Sequence, residues 1–189
     1  QTLPTREFRS GLAEVVKHAM IADVELFRTL EEDADRILAR DPAALQTIIA
    51  RNCAIKANVV EADEREAGVR AVLNFGHTVG HAVEAASGYG KITHGEAVAY
   101  GMLVATSLSV RRGLCPPADA KRLETLLQRF GLVPAVRPDP ELLETYIIRD
   151  KKVRDGVLQF VLTLGIGSVT LAPVSNREDL REALHGVQA

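Results

Sequence analysis

The stretch Leu73-Asn74-Phe75-Gly76-His77-Thr78-Val79-Gly80-His81, followed shortly by His94-Gly95-Glu96, holds three of the chain's five histidines. An imidazole is a good ligand for a borderline cation such as zinc. Residues four apart on a helix project from one face, so helical spacing lets His77 and His81 look into one cavity. His94 lies past the Gly-containing loop Ser87-Gly88-Tyr89-Gly90, and a chain that folds back there offers it to the same cavity from a second helix. A His pair at this spacing also occurs on solvated faces and in satisfied cores. Gly76, Gly80 and Gly95 shift the balance, since each weakens a helix by about 1 kcal/mol relative to Ala. Close approach of a ligand or another helix is the usual reason to find glycine there. The chain has no His-Glu-x-x-His run. His94-Gly95-Glu96 has the His-x-Glu form of a nucleobase deaminase, but Cys115 is followed by Pro116-Pro117 with no paired cysteine, so both of those zinc chemistries are excluded.

Outward from this stretch, apolar residues recur at helical spacing through Leu12, Val15, Val16 and Ala19, and through Leu45, Ile48, Ile49, Cys53 and Ile55. Helices are expected from Ser10 to about Arg149, with breaks at Gly68, Ser87 to Gly90, Cys115-Pro116-Pro117, Gly131 and the proline-rich segment Pro134 to Pro140. The apolar run Ala97 to Val110 contains Thr106, Ser107 and Ser109 and falls short of the ~20 residues a membrane span needs, so it reads as a buried central helix. Only near the end does the pattern change. Val157 to Leu162 and Val169-Thr170-Leu171 flank Gly165-Ile166-Gly167 and predict a short hairpin, and a last helix runs from Arg177 to about His185. The fold class is mainly α, a multi-helix domain with a small β-hairpin near the C-terminus. No Gly-x-Gly-x-x-Gly follows a strand, so a dinucleotide fold is not encoded here.

A chain of 189 residues buries a sizeable core as one domain. Gln1-Thr2-Leu3-Pro4-Thr5 carries neither an initiator Met nor signal-peptide features, and the chain reads as though cut from something longer. With 23 basic and 25 acidic side chains, a net charge of −2 offers no global attraction for nucleic acid or anionic membrane. Cys53 and Cys115 are read as small buried hydrophobes in a reducing cytoplasm.

Several charges lie in apolar surroundings. Glu14 and Lys17 sit three apart in Gly11-Leu12-Ala13-Glu14-Val15-Val16-Lys17-His18. Lys17 reads as half of a solvated pair, whereas Glu14 stays open between that pair and a carboxylate ligand completing a two-histidine site. Lys56 and Arg70 are similarly flanked, and basic groups beside a metal imply an anionic substrate. Asp150-Lys151-Lys152 is ordinarily a charged turn and otherwise a further phosphate contact.

Taken together, Leu3 to Lys17, Lys56 through Glu66, Arg70 to His81, Gly88-Tyr89-Gly90, His94 to Val98 and Arg149 to Lys152 resemble, in order and spacing, the C-terminal domain of 3-dehydroquinate synthase, within the wider group of sugar phosphate cyclases. The resemblance spans almost the whole chain. It implies that Glu14, His77 and His94 are the ligands of zinc (or cobalt). His81 then becomes an acid/base or phosphate-contacting group, which divides the pair that spacing had joined. Lys17, Lys56, Arg70 and Asn74 match positions holding the substrate's carboxylate, hydroxyls and phosphate. Glu66 orients that side of the pocket, and one of Lys151 and Lys152 reaches the phosphate. His18 stands where Tyr is more often expected.

The family reaction converts 3-deoxy-D-arabino-heptulosonate 7-phosphate to 3-dehydroquinate and phosphate in the shikimate pathway of aromatic amino acid biosynthesis, using NAD and a divalent metal. The resemblance places NAD mainly on an N-terminal α/β domain that this sequence lacks, with residues 1–189 forming the C-terminal metal- and substrate-binding domain. It also implies a homodimer of the full enzyme, and an isolated chain without turnover. Three other readings stand beside it: a 2-deoxy-scyllo-inosose synthase-like cyclase, a metal-dependent polyol dehydrogenase, and a noncatalytic metal-binding module.

Overall fold

The structure, a computed structural model, describes residues 2–63, 69–88, 91–133, 138–150, 158–174 and 176–187. Among these residues there are nine α-helices and one two-stranded antiparallel sheet, as the hydrophobic periodicity predicts. α1 (Thr5–Ala22), α2 (Val24–Glu32), α3 (Ala34–Leu38) and α4 (Pro42–Ala62) come first, then a 3-10 turn, Val69–Asn74. α5 (His77–Ser87), α6 (His94–Arg111), α7 (Pro117–Arg129) and α8 (Pro140–Asp150) follow. The strands β1 (Leu158–Gly165) and β2 (Ser168–Val174) then precede α9 (Arg177–Gly186). The first helix starts at Thr5, not Ser10: Pro4 is its N-cap, and the Pro4 carbonyl accepts the Phe8 N–H at 3.0 Å as the first bond of the helix.

The run read as a buried central helix is α6, and it is apolar on two faces. Val98, Ala99, Met102 and Ala105 pack into one cluster with Leu12, Val16 and Met20 of α1, Phe27 of α2, Ile48 of α4, and Phe130. Ala97, Tyr100, Val104 and Leu108 pack into a second cluster with Val79 and Val83 of α5, Ile147 of α8, Phe160 and Leu162 of β1, and Leu184 of α9. Each large side chain so buried contributes about 1.5–3 kcal/mol, which is why a helix with an apolar stripe on either side sits between two layers. No helix among the described residues is long and apolar enough to cross a membrane.

Polar ties fix the layers. Asp23 caps α2 by accepting from the Leu26 N–H at 2.9 Å, and it accepts Arg51 of α4 through Nε at 3.0 Å and Nη2 at 2.7 Å. Ser109 Oγ donates to the Ala105 carbonyl and accepts the Thr163 N–H at 3.0 Å, anchoring the hairpin to α6. The hairpin reverses at Gly165-Ile166-Gly167 as expected, with Gly165 and Gly167 at φ 136° and 82°. One cysteine differs from expectation. Cys115 is buried, but Cys53 is exposed, because the buried stripe of α4 runs through Ala44, Ile48 and Ile55 and leaves position 53 outside it.

Candidate functional site

α5 and α6 both begin at the same place, and their first residues are His77 and His94. Two close approaches put them there. Gly76 precedes α5 at φ +79°, and a Cβ on it would lie 2.7 Å from the Val98 carbonyl oxygen of α6. Gly95 follows His94, and a Cβ on it would overlap the backbone of Ser10 in α1. Its N–H donates to Ser10 Oγ at 2.9 Å. The start of α6 is further held by a capping box, with the Glu96 N–H on Thr93 Oγ1 at 3.2 Å and the Thr93 N–H on Glu96 Oε2 at 2.7 Å. Arg6 Nη2 adds bonds to Glu96 Oε2 at 2.9 Å and to the Lys91 carbonyl at 2.6 Å. Glycines thus let three backbones meet, and the side chains of α1, α5 and α6 converge where they do.

Glu14, on the second half of α1, faces both histidines. Its Oε1 lies 3.7 Å from His77 Nε2 and 3.9 Å from His94 Nε2. One donor atom from each of the three residues falls within 4.8 Å of the others. Oε1 is buried and has no hydrogen-bond partner, whereas Oε2 accepts Lys17 Nζ at 2.7 Å. Nδ1 of His77 lies 3.2 Å from the Phe75 carbonyl, and Nδ1 of His94 lies 3.1 Å from Glu84 Oε1. A proton on each Nδ1 satisfies those acceptors and leaves the Nε2 lone pairs facing Glu14. An orphaned carboxylate oxygen and two imidazole lone pairs at one point suit a divalent cation such as zinc, with coordination positions left for another ligand.

The electrostatics agree. Burial alone would raise the Glu14 carboxyl, but the charge and hydrogen bond of Lys17 hold it below its ordinary value. Burial lowers His77, reinforced by the charge of Lys17, so the neutral, ligating form is favoured. Burial also lowers Lys17 against the opposing pull of Glu14. The two partners move in the same direction because Lys17 is the deeper one, only 4% exposed against 34% for Glu14. The expectation that Lys17 belongs to a solvated pair is therefore corrected: it is buried, and its partner carboxylate faces the histidines.

Beside the three donors lies a cavity of about 420 Å³ lined by Glu14, Lys17, His18, Lys56, Arg70, Asn74 and His77. Its basic groups come from α1, α4 and the 3-10 turn. Asp63, buried at the end of α4, accepts the Arg70 N–H at 2.9 Å and so fixes where that turn begins. The starts of α5 and α6 add the partial positive charge of helix N-termini. The charge of such a pocket suits an anion. His81 lies one turn along α5, exposed, its ring edge-on to His77 at a centroid distance of 5.7 Å. It is outside the cavity lining. Glu66, Lys151 and Lys152 lie outside the described residues.

Sequence reasoning passed over three participants. His18 was noted only as a departure, yet it is buried on the cavity wall, with Nδ1 2.5 Å from Asn52 Oδ1. Asn52 itself carried no signal, since its role depends on how α4 crosses α1. Glu84 carried one: it falls two helical turns after His77.

The sequence model of the family described as 3-dehydroquinate synthase C-terminal matches residues 11–153. The chain belongs to that family. It is 48% identical to the 3-dehydroquinate synthase of Pelobacter propionicus over 88% of its own length and 46% of that protein's. It is likewise 48% identical to the 3-dehydroquinate synthase of Geobacter metallireducens over 97% of its length and 50% of that protein's. The chain therefore spans about half the length of the curated relatives it matches. Among solved structures, it is similar to 2-epi-5-epi-valiolone synthase from Streptomyces hygroscopicus subsp. jinggangensis 5008 with NAD+ and Zn2+ bound, with a TM-score of 0.89 at 29% identity over 99% of this chain and 52% of that one. It is also similar to 2-deoxy-scyllo-inosose synthase complexed with carbaglucose-6-phosphate, NAD+ and Co2+, with a TM-score of 0.83 at 28% identity over 98% of this chain and 53% of that one. The dehydroquinate-synthase-like fold expected from the resemblance is thus the fold observed.

Proposed function

We propose that this chain is the metal- and substrate-binding half of a 3-dehydroquinate synthase, acting on 3-deoxy-D-arabino-heptulosonate 7-phosphate. The observation that carries the reading is the meeting of Glu14, His77 and His94 on the edge of a cavity walled by Lys17, Lys56 and Arg70. Zinc or cobalt, held by those three residues, would supply Lewis acidity toward a substrate hydroxyl or carbonyl oxygen. NAD, the hydride acceptor, and the domain that holds it belong to a partner half outside this sequence. Identities of 45–48% to 3-dehydroquinate synthases, against 28–29% to the two cyclase structures, support this substrate over a hexose phosphate.

In this reading the chain's own residues bind, orient and compensate charge. Lys17, Lys56 and Arg70 hold the carboxylate and phosphate of the substrate and offset negative charge in a partly dry cleft. Asn74 holds a hydroxyl by its amide. His81, exposed one turn along α5 from His77, takes the proton-moving or phosphate-contacting role that the resemblance implies. The resemblance gives Glu66 the role of orienting the Arg70 side of the pocket and gives one of Lys151 and Lys152 a contact to the phosphate, although all three lie outside the described residues. A polyol dehydrogenase has no use for that basic wall, and a noncatalytic metal module has no use for an open donor set. The full enzyme acts in the cytoplasm as a homodimer.

The reading is tested by titrating the metal-free chain with zinc by calorimetry beside His94→Ala, then adding the heptulosonate phosphate or glucose 6-phosphate. One-to-one zinc binding that the substitution weakens, with preference for the heptulosonate phosphate, supports it. Preference for glucose 6-phosphate assigns the chain to the inosose-forming cyclases instead. Phosphate release from the chain with NAD is expected to be absent, and sustained release would overturn the division of labour between two halves.

A further inference from the structure

The two histidines of the donor set are supported unequally. His77 is part buried, and its Nδ1 meets the backbone carbonyl of Phe75, two residues before it. His94 is 47% exposed, and its Nδ1 meets a side chain, Glu84 Oε1 at 3.1 Å. Glu84 sits on α5, seven residues after His77, and reaches across to the first residue of α6. An imidazole on the first turn of a helix, half in water, is free to rotate about both of its side-chain bonds and to carry its proton on either nitrogen. A carboxylate accepting from Nδ1 removes both freedoms. It fixes the ring plane and leaves the Nε2 lone pair facing Glu14. It also raises the electron density of the ring, which strengthens the donor.

We propose that Glu84 is a positioning residue for the metal site, holding His94 in the Nδ1–H tautomer with Nε2 turned toward Glu14 and His77. The proposal rests on the donor set Glu14, His77 and His94 assigned above. Because α5 carries both His77 and Glu84, one helix supplies a donor and also aligns the donor from its neighbour. Glu84 itself stays outside the donor set and acts only through His94.

The test compares the metal-free wild-type chain with Glu84→Ala and Glu84→Gln, both checked for folding by circular dichroism. Zinc affinity is measured by calorimetry, and the His94 tautomer by 15N NMR without metal. Outer partners of metal-bound histidines typically contribute 10–100-fold in affinity, so Glu84→Ala is expected to bind zinc at least ~10-fold more weakly. Its His94 should lose the Nδ1–H preference. Glu84→Gln, whose side-chain oxygen still accepts a hydrogen bond, should keep the tautomer and recover part of the affinity, a rescue that general loss of helix stability would not give. A folded Glu84→Ala with wild-type zinc affinity and an unchanged His94 tautomer overturns the proposal. Zinc binding that His94→Ala weakens but Glu84→Ala does not would sink this inference and leave the donor set intact. A wild-type chain that binds no zinc sinks the donor set and this inference with it.

Discussion

Lys17 Nζ lies 2.7 Å from Glu14 Oε2, while the other oxygen of the same carboxylate, buried and unpartnered, lies within 4 Å of Nε2 of both His77 and His94. One carboxylate therefore divides its two oxygens between a buried ammonium and the two imidazoles. Lys17 keeps Glu14 ionised and fixes its rotation. Lys17→Met is expected to weaken zinc binding about 10-fold, in the range for outer partners of metal ligands, with the fold retained. Calorimetry on the metal-free variant measures it, and an unchanged affinity would show that Glu14 needs no such support.

Gly95 permits α6 to start against the backbone of α1. Gly95→Ala adds a methyl where the Ser10 backbone stands, and neither helix can move without disturbing the shared core. The expected loss of stability is about 1–3 kcal/mol, the usual range for overpacking, read from the urea midpoint. Zinc affinity should fall with it, since His94 is the adjacent residue.

The bond from the Arg70 N–H to Asp63 ties the end of α4 to the 3-10 turn that carries Arg70 and Asn74. Asp63→Ala removes a buried acceptor, with an expected loss of about 1–3 kcal/mol. Binding of inorganic phosphate to the cavity should weaken, because Arg70 is no longer held at its wall. Asp63→Asn keeps an acceptor oxygen and should restore most of both. Equal phosphate affinity in Asp63→Ala and wild type would detach Arg70 from anion binding.

Burial lowers the imidazoles of His18 and His77, in His18 against the opposing hydrogen bond to Asn52 and in His77 with help from Lys17. Both are then neutral in the native chain at pH values where the unfolded chain is protonated. The unfolded state binds more protons, so stability rises with pH from below the native values up to the ordinary histidine value of about 6.5. Glu14, held below its ordinary value, supplies stability that is lost only at more acidic pH. Urea midpoints of the metal-free chain should therefore climb as pH rises toward the ordinary histidine value of about 6.5, and the lowered Lys17 adds a further rise toward its own, alkaline, ordinary value. His18→Gln, which keeps a donor toward Asn52, should flatten part of the histidine rise.

Much of the fold was legible because period and punctuation agreed. The apolar spacing of Leu12, Val15, Val16 and Ala19, the uninterrupted run from Ala97, and the glycine pair at 165 and 167 each announced the element that formed. Cys53 and Lys17 were misread for one reason: an isolated helix does not say which of its faces another helix will cover. Cys53 falls on the uncovered side of α4, and Lys17 on a side of α1 closed over by its neighbours.

By itself the sequence determined the helices, the hairpin, the family and the residue types of the site, since these follow from local pattern and from motifs read in order. Tertiary structure decided which nitrogen, which oxygen and which neighbour. Glu14 and His94 are 80 positions apart, and Glu84 and His94 meet across two helices. Glycine contacts between α1, α5 and α6, which exist only once the three helices pack, bring those atoms within reach of one another.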